Sequence, residues 1–147
     1  MTGLNHVLTG AAIALAVRQP ALVAPLAFGS HFLLDAIPHF DHPIYQYGSK
    51  YFTRIMLTDG IISVGAIAAI MLLVPQLASV VALGALAAIL PDFFWLYYYT
   101  HGRPQWWFFR FHTKIQWFEQ PQGALVEIAY LVFIITVIIA IKIEGIL

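Results

Sequence analysis

The chain has 147 residues, enough for one domain, of which 61% are hydrophobic and 10% charged, and its mean hydropathy is +0.84. A soluble domain carries roughly 25% charged residues, so this chain lacks the polar surface that water demands, and lipid is its natural solvent. Seven basic and seven acidic residues leave no net charge and no basic block, which excludes a nucleic-acid face; the absence of cysteine excludes disulfides, thiolate metal sites and a cysteine nucleophile.

A full membrane span takes about 20 apolar residues. The first apolar stretch, 4–17, is short and is broken by Arg18-Gln19-Pro20. Its N-terminal flank lacks a positive region and Arg18 follows it, so it is expected to remain in the mature protein. The second stretch, 21–37, ends at Pro38, and a polar, aromatic loop follows to Arg54. The third, 55–74, closes at Pro75-Gln76, and the fourth runs over 77–99. Aromatics from Trp106 to Phe118 alternate with Arg110, Lys114 and Glu119, the composition of a helix lying on a membrane surface. The last stretch covers 124–143.

Backbone polar groups in lipid must be satisfied within the segment, so these stretches are expected to be helices. The predicted fold is an all-α integral membrane bundle in one domain, with about five membrane-embedded segments. They form a hairpin over 4–37, a hairpin over 55–99, an interfacial aromatic segment over 104–120 and a final span over 124–143. Gly65, Ala66, Ala68, Ala69, Gly84, Ala85, Ala87 and Ala88 are small-residue patches suited to close helix packing. A short internal similarity pairs Ala36-Ile37-Pro38-His39-Phe40 with Ile89-Leu90-Pro91-Asp92-Phe93, and predicts that the second helix of each hairpin ends at its proline.

Following the segments through the bilayer brings all six histidines and all four aspartates toward one face. Lys50, Arg54, Arg103, Arg110 and Lys114 lie on that face, against Arg18 and Lys142 on the other. The excess of basic residues places this face in the cytoplasm, with the N-terminus inside, the C-terminus outside and the chain in the inner (plasma) membrane.

The densest chemistry lies between Gly29 and Pro43. His31 and Asp35, four apart, share one helix face. Pro38 ends or kinks the helix, and His39, Asp41 and His42 follow at once. Ionisable groups inside an apolar segment are costly and mark function by default. Imidazole with carboxylate suits a divalent ion, zinc first, with manganese or iron also compatible. The expected ligands are His31, Asp35 and His39, completed by His6 or Asp92. Asp41, Asp59 or His112 would orient ligands or act as general base, and Arg54, Arg110 and Lys114 would hold an anionic head group. The plainer alternatives are an Asp35–Arg54 clamp, and helix-end capping by His39, Asp59 and Asp92.

Three elements carry a family resemblance: Asn5-His6 followed by Gly10, Leu34-Asp35 with Pro38-His39-Phe40-Asp41-His42, and Leu90-Pro91-Asp92. With them the chain resembles the small inner-membrane proteins described as membrane-bound metal-dependent hydrolases, a group whose bacterial member is LexA-regulated. The resemblance implies metal-dependent hydrolysis in the membrane. The chain departs from that family in its shortness and in Phe93 and Trp95 after Asp92, where a further acidic residue and a histidine are typical.

The expected function is therefore a membrane-bound metal-dependent hydrolase acting at the cytoplasmic surface on a lipid or lipid-linked phosphoester. No Gly-rich phosphate loop, G-x-S-x-G or H-E-x-x-H element competes with it. The alternative is a small non-enzymatic subunit of a larger membrane complex, ligating a haem or chlorin through histidine. A carrier using Asp35, Asp59 and Asp92 fits less well, because these acids gather on one side rather than stepping across. Membrane lipid, a lipid-like substrate and further membrane subunits or copies of the chain are the expected partners; nucleic acid is not.

Overall fold

The computed structural model describes residues 1–40, 50–101 and 106–144, and their side chains apart from those of 95–101 and 143–144. Among these residues the chain is all-helical. The helices are α1 (Gly3–Val17), α2 (Pro20–Asp35), α3 (Lys50–Leu73), α4 (Ala78–His101), α5 (Trp107–Ile115) and α6 (Gly123–Glu144), with a 3-10 turn at Pro75–Leu77 before α4. Stretches within 50–73, 75–94 and 123–142 are long and apolar enough to cross a membrane, whereas α1 and α2 are apolar but shorter.

The short α1 is the centre of the bundle. It packs against α2, α3, α4 and α6, and eleven of its 15 residues are buried. By contrast, Ser63 is the only buried residue of α3, whose apolar side chains face outward as lipid requires. α1 and α4 meet backbone to backbone at Gly10 and Gly84, where a Cβ on either glycine would overlap the other's carbonyl. Ala85 and Ala88 are buried beside this crossing, so the small-residue patch of the fourth segment works as anticipated. Gly65 on α3 faces open space.

α1 begins below the ends of its neighbours. Thr2 N–H donates to Glu127 Oε1 at 3.0 Å; Gly3 and Leu4 N–H donate to the two oxygens of Asp59 at 2.8 and 3.1 Å. Glu127 lies four residues into α6 and Asp59 nine residues into α3, so the N-terminus of α1 is recessed by roughly 6–13 Å at 1.5 Å per residue. Water would normally satisfy the free N–H groups there. Two carboxylates borrowed from other helices do so instead, and the positive end of the helix favours them.

Pro38 falls three residues beyond the end of α2, but Pro91 lies inside α4, which runs on to His101. The second hairpin thus departs from the expected helix end. A membrane helix tolerates an internal proline where neighbouring groups satisfy the backbone around it.

Candidate metal centre

The recess at the top of α1 is lined from three helices and closed by a fourth. α1 brings His6, the end of α2 brings His31 and Asp35, α4 brings Asp92 and α5 brings His112. His31, Asp35, Asp92 and His112 each point one ligand atom into the same space, all within 4.8 Å of one another, a group able to hold a metal ion. His6, His31 and Asp35 are fully buried and His112 nearly so, while the Asp92 side chain is 28% exposed and forms the open edge.

Asp35 is the hub. Its Oδ2 lies 2.9 Å from His112 Nε2 and 3.1 Å from His31 Nε2, and accepts from Gln116 Nε2 at 3.2 Å. Its Oδ1 contacts His6 Nε2 at 3.1 Å and the Met1 amine at 2.8 Å. His31 Nε2 and His112 Nε2 are 3.0 Å apart, and Asp92 Oδ1 is 3.6 Å from His31 Nε2. His6 stacks on His31 with ring centroids 4.1 Å apart, which holds both imidazoles in register.

The His31 ring is fixed from behind. Its Nδ1 is 2.8 Å from the Ala88 carbonyl, and a carbonyl only accepts, so Nδ1 carries a proton. In a neutral imidazole the second nitrogen is then a lone pair. That lone pair faces Asp35 Oδ2 and Asp92 Oδ1, an acceptor set against two carboxylates. The arrangement calls for a cation between them, either a second proton on the ring or a metal ion.

The donor spacing tests the metal. His31 Nε2, His112 Nε2 and Asp35 Oδ2 form a triangle with edges of 3.0, 2.9 and 3.1 Å. Donors about 2.1 Å from one ion stand roughly 3–3.4 Å apart. The residues fit a divalent ion.

The remaining expected residues fall elsewhere. His39 lies outside the four-residue group. Its Nδ1 donates to the Ile37 carbonyl at 2.9 Å and its Nε2 is 3.4 Å from Glu119 Oε1. Gln120 N–H donates to the His39 carbonyl at 3.0 Å, so this segment straps the end of α2 to the chain after α5. Both oxygens of Asp59 are engaged by α1. Asp41 lies outside the described residues. Arg54 is exposed on α3, and Arg110 and Lys114 are exposed on α5. Sequence reasoning passed over Gln116; its spacing of four from His112, on the same helical face, was the available signal.

Together these features define, among the described residues, a helical chain with three helices apolar enough to cross a membrane and a largely buried His/Asp group able to hold a metal ion. Comparison with protein-family models, with curated proteins and with solved structures gives no match.

Proposed function

We propose that the protein is a membrane-embedded metal-dependent hydrolase whose site opens at the cytoplasmic surface and takes a lipid or lipid-linked phosphoester. The observation that carries this reading is the His31–His112–Asp35 triangle, with the His31 proton committed to Ala88 and its lone pair aimed at carboxylates. The resemblance to the LexA-regulated inner-membrane family supports the same class. In this reading the chain lies in the plasma membrane as about five embedded segments, with α5 on the cytoplasmic surface and the C-terminus outside.

A divalent ion held there supplies Lewis-acid polarisation of a phosphoryl or carbonyl oxygen and activates water. Zinc, manganese and iron would each be compatible with these imidazole and carboxylate donors. His31, His112 and Asp35 hold the ion; His6 and Gln116 orient Asp35. Asp92 is the carboxylate on the open edge, placed to take a proton from an incoming water. Arg110 and Lys114 lie on the helix that carries His112, within reach of an anionic head group at the membrane surface.

The test is metal content by inductively coupled plasma mass spectrometry on detergent-purified protein, beside the His31→Ala/Asp35→Ala variant. Near-stoichiometric manganese, iron or zinc that disappears in the variant is expected, and turnover of lipid phosphoesters should disappear with it. Wild type that binds no divalent ion, even on reconstitution, would leave a doubly protonated His31 as the cation. The hydrolase would then give way to a non-enzymatic membrane subunit.

A further inference from the structure

α5 carries two stripes that face opposite ways. The inward stripe holds Phe109 and His112, both buried, and continues to Gln116, which reaches Asp35. Phe32 of α2 meets Phe108, Phe111 and His112 at ring-centroid distances of 5.9, 5.5 and 5.8 Å, and Phe94 of α4 meets Phe108 at 5.1 Å. The outward stripe is Trp107, Arg110, Phe111 and Lys114, spaced i, i+3, i+4, i+7 along one face. Trp107 is 77% exposed and Phe111 45%.

A helix turned to water presents a polar outer face. This one alternates large rings with long cations and carries no acid from Trp107 to Ile115. Trp106 and Trp117, at 64% and 70% exposure, flank it at either end. Aromatic rings at head-group depth beside cations that reach phosphates are the composition of a bilayer interface. Among the described residues, three helices are long and apolar enough to stand in such a bilayer.

α5 has nine residues, and a helix shorter than about 12 residues is marginal in water without a surface to pack on. We propose that the outer face of α5 docks on an anionic phospholipid surface and that this docking seats His112 and Gln116 against Asp35. The metal affinity of the site is thereby set by the membrane. The proposal rests on the metal-site reading above. Whatever binds the seated helix raises metal affinity by the same factor that metal raises docking. The juxtaposition of Arg110 and Lys114 on the lipid side with His112 on the metal side makes the lipid charge the effector.

The experiment uses the full chain in nanodiscs of phosphatidylcholine alone or mixed with phosphatidylglycerol, titrated with manganese and with zinc. Each basic residue near an anionic surface contributes about fivefold, so anionic discs are expected to tighten metal binding about tenfold or more. An Arg110→Gln/Lys114→Gln variant, which leaves every metal-facing group in place, should bind equally in both discs. In parallel, brominated lipids should quench tryptophan fluorescence, and Trp107→Phe should remove part of that quenching. Equal metal affinity of wild type in the two discs overturns the coupling. Metal binding with Trp107 unquenched overturns the docking while sparing the site. No metal in either disc overturns the site reading and the coupling with it, and quenching still reports where α5 lies.

Discussion

His31 shows how one hydrogen bond decides a side chain's chemistry. The Ala88 carbonyl accepts the Nδ1–H hydrogen bond, and the opposite nitrogen faces Asp35 and Asp92 as a candidate ligand. Gln116→Leu removes a donor to Asp35 Oδ2 and is expected to lower metal affinity roughly tenfold, as loss of ligand-orienting contacts commonly does; isothermal titration with manganese measures it, and Asp35→Asn should abolish binding. His39→Ala should leave metal content unchanged and instead lower thermal stability, because the His39 side chain ties the end of α2 to Glu119. That pair of outcomes separates ligand from strap. His31, Asp35 and Asp92 could be named from the chain alone because ionisable groups in apolar helices stand out. The exclusion of His39 from the four-residue group could not, because it turns on where the chain goes after α2.

At the scale of elements, α1 governs the site by being short. Its recessed start puts His6 beneath the surface, and Asp59 and Glu127 take over the role of water at its N-terminus. Asp59→Ala strips the cap from two N–H groups and is expected to destabilise the bundle by about 1 kcal/mol or more. Differential scanning fluorimetry in detergent should show this as a lowered Tm with metal content little changed in the folded fraction. The α1–α4 crossing is tighter still. Gly10→Ala and Gly84→Ala each push a methyl group into a facing carbonyl and should cost about 1–3 kcal/mol. Gly65→Ala, pointing into open space, should cost nothing measurable. If all three variants melted alike, the Gly10–Gly84 contact would be wrong. Glycine and alanine richness marks a helix as a packing surface, but only the assembled bundle says which of two similar patches is used.

For the whole molecule, the polar groups collect at one end of the bundle and the turns at Arg18 and Gln76 lie at the other. The cysteine-free chain makes this directly testable. Single cysteines at Lys50 and Lys114 should react with a membrane-impermeant maleimide only after the cells are opened. Single cysteines at Gln76 and Lys142 should react in intact cells. Labelling of all four from one side would overturn the proposed orientation.

Some of this protein was settled by its sequence. Sparse charge and long apolar runs dictate helices apolar enough to cross a membrane, because hydropathy and backbone satisfaction act locally and are written residue by residue. The i, i+4 pairing of His31 and Asp35 is equally local. What the tertiary structure decided was which distant groups meet. It set His112 beside His31 and Asp35, engaged both oxygens of Asp59 as a helix cap, left His39 to strap two segments together and brought in Gln116 and a backbone carbonyl. These depend on helix depth and on the approach that Gly10 and Gly84 permit. Depth and approach arise from packing between segments up to 125 residues apart, which no local pattern encodes.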